Sequence, residues 1–245
     1  MRYEMMLPHQ IRTAIKEDWP VVLPLGPLEY HGEHMAVGMD TLVVVRTAER
    51  LEQDMDMVIL PTFYYGSASY AVEPPEGKGS VQVASEHLIP VARDLFLSLL
   101  RIGFRNIHFF IHHQSENFVQ GMPTDLAFKT GARQAIFEFI EQLWGEGWWG
   151  DNRMSTYYSD HEQGTDPFNW IRGHPLMDAA IISQYPFDHA GKGETSLMME
   201  LCPEGVDMDH LSTEKWYLQS APEASKELGS TGARLVLEHM RGLLS

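Results

Sequence analysis

Residues 21–41 read VVLPLGPLEYHGEHMAVGMDT, an apolar run that breaks at a Gly-Pro pair and passes through a loop rich in His and Glu. Val21 to Leu25, bounded by Gly26 and Pro27, predicts a buried parallel strand that ends in a loop. Beyond the loop, residues 42–54 carry helical spacing, with Asp40 or Thr41 as the cap. Residues 57–60 predict a second strand. Residues 86–102 place Leu88, Ile89, Val91, Leu95, Phe96, Leu99 and Leu100 on one helical stripe, closed by Gly103. Residues 107–111 predict the next strand and 125–144 another helix. Strands alternating with helices specify an α/β fold, a three-layer αβα arrangement around a mostly parallel central sheet. Such sheets place their sites beyond the carboxyl ends of the strands. The loops after Leu25 and Ile111 hold the densest His and Glu clusters in the chain, so chemistry and topology converge on one place.

The 245 residues are 44% hydrophobic and 11% aromatic, enough to bury a core without disulfides, and a single domain over 1–245 is expected. Residues 145–185 interrupt the alternation with Gly, Asp and aromatics. They read as an aromatic-rich insertion that either packs its tryptophans on the domain or forms a lid and subunit contact over the site. No apolar run approaches the roughly 20 residues of a membrane-spanning helix. The opening MRYEMMLPHQ lacks the basic start and apolar stretch of a signal peptide, so a cytoplasmic location is expected. Lys and Arg number 18 against 34 Asp and Glu, and the formal charge of -16 disfavours nucleic acid and anionic lipid as partners. Cys202, the single cysteine, lies in an apolar stretch and reads as core.

Glu29 and His31 are two residues apart, so in an extended loop both project to one side and can share a metal. Asp40, taken alone, is a helix cap. A loop folding back across the strand ends would instead let its carboxylate bridge two divalent cations.

The run PLGPLEYHGEHMAVGMDT (24–41) resembles the creatininase (creatinine amidohydrolase) family pattern P-x-G-x-x-E-x-H-G-x-H-L-P-x-x-x-D-T. That resemblance implies that Glu29 and Asp40 bind one divalent metal, and that His31 and the same Asp40 bind a second. Zinc, manganese or iron(II) would suit the donors. DHAGKGETSLMMELCPEGVD (188–207) is similar to the family's H-A-G-x-x-E-T-S segment. By that likeness His189 is the catalytic proton donor to the leaving group, Glu194 lies at the second metal, and Asp188 is a substrate contact.

The third segment departs from the family's N-G-H-G-G-N, since residues 112–117 are His112, His113, Gln114, Ser115, Glu116 and Asn117. Aligned on Asn117, Gln114 stands at the metal-binding histidine. Glu116 stands where creatininase carries a glutamate used for the second metal or the water. Gln114 could coordinate through its carbonyl oxygen, His112 or His113 could reach in instead, or the site could work with one ion. His113 and Ser115 are otherwise candidate substrate contacts. In the loop FYYGSASYAVEPPEGKGS (63–80), Ser69 and Tyr70 are further candidates, with a turn-forming role as the alternative.

The resemblance implies a hydrolase that opens a small polar cyclic substrate at an amide C–N bond, with a metal-activated water whose proton passes to Glu116. A homo-oligomer, a hexamer in the family, is expected. A second reading keeps the fold and changes the bond to a cyclic polyol ketone or lactone of sugar or inositol breakdown, such as a 3-dehydro-inosose. His112, His113, Gln114, Ser115, Asn117 and Asp188, as hydrogen-bonding groups, lean toward that polyol. A third reading is a metal-binding or assembly protein without turnover.

Overall fold

A computed structural model describes residues 1–245. In chain order its main elements are α1 (Pro8–Lys16), β1 (Val21–Leu25), α2 (Met39–Leu51), β2 (Val58–Ile59), α3 (Ser85–Ile102), β3 (Ile107–Ile111), α4 (Pro123–Trp144), α5 (Tyr157–Gln163), β4 (Ile171–Pro175), α6 (Ala179–Ile182), α7 (Lys192–Leu201) and α8 (Lys226–Leu244). The four strands pair in the order β2-β1-β3-β4, all parallel.

Alternation along the strands sorts the core into two layers. Val21, Leu23, Leu25, Ile107, Phe109 and Ile111 face α3 and α4, whose Phe96, Leu100, Phe128 and Ile136 complete one cluster. Val22, Ile59 and Phe110 face the other way, against Val43, Leu197, Val236 and neighbours from α2, α7 and α8. Every residue of β1 and β3 is buried, which is why β1 appears in the sequence as an unbroken apolar run and β3 as one interrupted only by His108. The three-layer αβα arrangement expected from the alternation is the one observed.

The chain leaves β1 through α2 to one side of the sheet and returns through α3 to β3 on the other side. The topological switch point therefore falls between β1 and β3. Gly26 lets the loop after β1 press against the start of α2, because a Cβ there would collide with Thr41. That close approach brings the loop of Glu29 and His31 over the same strand ends as α2.

Residues 145–185 supply the edge strand β4, which the sequence does not reveal, and Trp148 and Met154 enter the core. The aromatics pack on one another, with Trp149 4.6 Å from Tyr157 and Phe137 5.4 Å from Phe168. The strand was hidden because IRGHP pairs a glycine with the Phe109 ring and carries two charged or polar side chains on its other face. Helix α2 begins at Met39, so Asp40 lies within its first turn and does not cap it.

The sheet also holds a buried imidazole pair. His108 Nδ1 lies 3.0 Å from His174 Nε2, and Arg172 packs alongside. Burial first, then Arg172 and the His174 ring, push His108 down to about 2. Burial, Arg172 and His239 push His174 down to about 4. In the unfolded chain both imidazoles titrate near 6.5, so below that pH the unfolded state binds more protons and folding stability falls. Denaturant unfolding at stepped pH should show stability declining as pH drops from 6.5 toward 4, and His174→Gln should flatten the slope in that window. An unchanged slope in the variant would refute the assignment.

Candidate metal centre and active site

Two loops and two helix starts meet at the switch point. Glu29 and His31 come from the loop after β1, His112 and His113 from the loop after β3, Asp40 from the first turn of α2, and Glu194 from the first turn of α7. All six are buried, none more than 8% exposed. The two helix-borne carboxylates sit where the N-terminal end of a helix dipole favours negative charge.

A triad of Glu29, His31 and His189 adjoins two further groups that share Asp40. In one, His113 Nδ1 lies 3.2 Å from Glu29 Oε2 and 3.4 Å from Asp40 Oδ2. In the other, His31 Nε2 lies 3.6 Å from Asp40 Oδ1 and 3.5 Å from Glu194 Oε2. Most of these separations exceed a good hydrogen bond. They match donors around one tetrahedral ion, which at bonds of about 2.0–2.1 Å stand about 3.3–3.4 Å apart. His31 Nδ1 donates to the Glu29 carbonyl at 3.0 Å, which leaves Nε2 as the ring nitrogen facing the carboxylates. That Nε2 and Asp40 Oδ2 are buried without a hydrogen-bond partner. The donor set thus fits divalent cations, with Asp40 offering one oxygen to each group.

Electrostatics show how strongly the cluster calls for positive charge. Burial lowers the His31 imidazole, but Asp40, Glu194 and Glu29 outweigh it and lift it to about 10. His113 is likewise pulled down by burial and raised to about 10 by Asp40 and Glu29. Burial raises Asp40, and His31 and His113 reverse the effect, holding it well below the ordinary carboxylate range. Glu194 is lowered too, as His31 and His112 overcome its burial.

His189 lies over this cluster. Its ring is 4.2 Å from that of His31. Nε2 donates to the Tyr30 carbonyl at 3.0 Å, and Nδ1 points toward Glu29 Oε2 at 4.0 Å. The preceding Asp188 receives the Gly193 and Glu194 amides at 2.8 and 3.1 Å, fixing the start of α7. Burial and Glu194 raise its pKa. Ala190 takes a left-handed φ of 53° and delivers its amide to Glu194 Oε2 at 2.6 Å. This strained backbone holds a ligand carboxylate in place.

A cavity of about 710 Å³ opens above the cluster, walled by Ala68, Ala71, Val72, Met122, Phe187, Trp216 and Tyr217. Its size suits a small molecule. Tyr217 packs edge-on against His189 at 5.4 Å, and its hydroxyl donates to Glu73, which also pairs with Lys215 at 2.8 Å. Residues 215–220 thereby roof the site. Residues 145–185 contribute no wall.

Several expected site residues fall elsewhere. Gln114 is no ligand, because its amide nitrogen donates to the Met177 carbonyl at 2.8 Å and its oxygen accepts the Met177 amide at 3.1 Å. His113, one residue earlier, is the imidazole that meets Glu29 and Asp40. Glu116 lies exposed on the cavity rim, outside the buried donor groups. Ser115 turns back to the Asn117 carbonyl at 2.8 Å, and neither Ser115, Ser69 nor Tyr70 reaches the cavity wall. Ser69 is fully buried and Tyr70 points to solvent. Asp188 borders the cavity with its oxygens already engaged. The roof residues Trp216 and Tyr217 went unpredicted, since 211–220 has no periodicity or motif to single them out.

A parallel sheet between helical layers, carrying at its switch point a buried cluster of three carboxylates and three histidines whose donors could hold a metal ion, is the class of α/β fold and site this chain presents. The chain belongs to the creatininase family, whose model, described as creatinine amidohydrolase, matches residues 4–235. It is 25% identical to creatinine amidohydrolase of Pseudomonas putida over 79% of this chain and 68% of that protein. It is 23% identical to 3-dehydro-scyllo-inosose hydrolase of Thermotoga maritima over 90% of this chain, and spans 60% of that relative's length. Among solved structures, a manganese creatininase superposes with a TM-score of 0.69 at 23% identity, covering 98% of this chain and 95% of the other. A mutant creatininase complexed with creatine superposes at 0.67 and 21% identity, covering 99% and 96%. The protein is a hydrolase of this family, and none of its helices is long and apolar enough to cross a membrane.

The exchange of roles between Gln114 and His113 is open to direct test by elemental analysis of zinc-reconstituted variants. His113→Ala should lose one equivalent of metal. Gln114→Ala should keep full metal content and lose about 1–3 kcal/mol of stability with its two backbone hydrogen bonds. Loss of metal from the glutamine variant alone would reverse the assignment.

Proposed function

We propose that the protein hydrolyses a C–N bond in a small, flat cyclic amide, using two divalent cations held by Glu29, Asp40 and His113 and by His31, Asp40 and Glu194. The observation that carries this reading is the pair of buried donor groups sharing Asp40, with His31 Nε2 and Asp40 Oδ2 aimed inward and unpartnered. When bound, such a cation pair polarises a carbonyl and lowers the pKa of water toward neutrality.

The chain's own residues supply the rest. The Tyr30 carbonyl fixes the His189 proton on Nε2, so Nδ1 is free to accept a proton from the attacking water and to deliver it to the departing ring nitrogen. Glu116, on the rim, is not needed for that transfer. Phe187, Trp216 and Tyr217 give a flat ring apolar surface to pack on and keep bulk water from the reacting carbonyl.

The wall also weighs against the polyol reading. Gln114 and Asp188 spend their polar atoms on backbone groups, and Ser115 and Asn117 lie off the wall, bonded within their own loop. Of the wall's polar side chains outside the donor cluster, Glu116 and Gln219 remain for a substrate, fewer than a polyhydroxylated ring needs and enough for a ring amide. Zinc and manganese both suit the donors.

The deciding experiment is a screen of cyclic amides, lactones and inosose-type ketones with the zinc- or manganese-loaded protein. Ring-amide turnover, lost on chelation and restored by metal, is expected. His189→Gln should lower kcat by about 10²–10⁴-fold with metal content unchanged. A protein that holds no metal and regains none, or one that opens polyol ketones and no ring amide, would sink the reading.

A further inference from the structure

His112 is buried directly after β3, and the chemistry above does not use it. It belongs to neither cation-binding group. Its Nε2 lies 2.9 Å from Glu194 Oε1, on the carboxylate oxygen that faces away from His31. The other oxygen, Oε2, lies 3.5 Å from His31 and accepts the Ala190 amide. The two oxygens of Glu194 are therefore assigned different partners. With its proton on Nε2, the buried and unpartnered Nδ1 of His112 is an acceptor, which costs less to leave unpaired than an N–H.

A carboxylate free of such a bond can rotate and chelate an ion with both oxygens. One whose outer oxygen is held by an N–H presents a single oxygen in a fixed direction. Together with His31 Nε2 and Asp40 Oδ1, this makes three single-atom donors, the complement that suits a four-coordinate ion with one position left for water. We infer that His112 is a positioning residue: by binding Glu194 Oε1 it commits Glu194 to one-oxygen ligation and tunes the His31–Asp40–Glu194 position for zinc over manganese. This rests on the two-cation reading above. The neighbouring His113 is a ligand, so the His112-His113 pair serves both positions, one directly and one through Glu194.

The test uses the full chain, stripped of metal and titrated with zinc alone or manganese alone against a chromophoric chelator, for wild type, His112→Ala, His112→Leu and His112→Gln. Wild type should take two zinc ions. Ala and Leu should weaken the second zinc by about 10- to 100-fold, leave the first unchanged and narrow the zinc-to-manganese preference, while Gln, which keeps an N–H donor, should restore most of the loss. A purely space-filling role would be met by Leu and would not be rescued by Gln. Should Ala fail to fold, the contrast between Leu and Gln still separates the two roles. Two zinc ions in wild type with an unchanged second affinity in Ala and Leu would overturn the role of His112 and leave the two-cation reading standing. Fewer than two in wild type would overturn that reading and this one with it.

Discussion

The structure depends on confining three carboxylates, those of Glu29, Asp40 and Glu194, in a space from which water is largely excluded. Buried without partners, each would cost several kcal/mol and would take up a proton. The fold provides three kinds of compensation. Asp40 and Glu194 sit in the first turns of α2 and α7, where unpaired amides and the helix dipole favour negative charge. His31, His112 and His113 face the carboxylates directly. A backbone amide adds a third, with Ala190 donating to Glu194 Oε2. In the absence of an ion the imidazoles supply the missing positive charge, as the upward shifts of His31 and His113 show. An incoming cation would replace that charge at the same donors.

That requirement explains why the parts readable from sequence were those that fix the cluster. The strand Val21–Leu25 and the loop through Glu29 and His31 were legible because an unbroken apolar run breaks sharply at Gly26 and Pro27. Asp40 looked like a cap because first-turn acids and cap acids are the same residue types. Only the fold-back of the loop over α2, which Gly26 permits, shows where its carboxylate goes. His189 and Glu194 were legible only through a motif, since nothing local marks one histidine or one helical glutamate as functional. β4 escaped because Gly173, Arg172 and His174 answer to neighbouring side chains in space, and such demands leave no period-two signature. The roof at Trp216 and Tyr217 escaped for the same reason, being tied down by Glu73, which is 144 residues away in sequence from Tyr217.

The one-residue exchange after β3 shows how the rest of the site can change while its charge balance persists. Sequence alignment fixed on Asn117 puts Gln114 at the ligand position, yet the physical constraint falls on whichever side chain the end of β3 aims at Glu29 and Asp40. That residue is His113. Gln114 acts instead as a brace. Its amide closes a two-bond ring with the Met177 backbone, joining the loop after β3 to the loop after β4. A brace immediately after His113 removes the freedom that loop would otherwise have, so the imidazole meets its carboxylates without an entropic cost at binding. The glutamine in place of the expected histidine is thus compatible with a complete donor set. What it changes is the supply of free polar groups in the cavity, because an amide spent on backbone cannot read a substrate hydroxyl. Ligand geometry and substrate preference are in this way coupled through one short segment, residues 112–116, which faces the aromatic roof across the cavity.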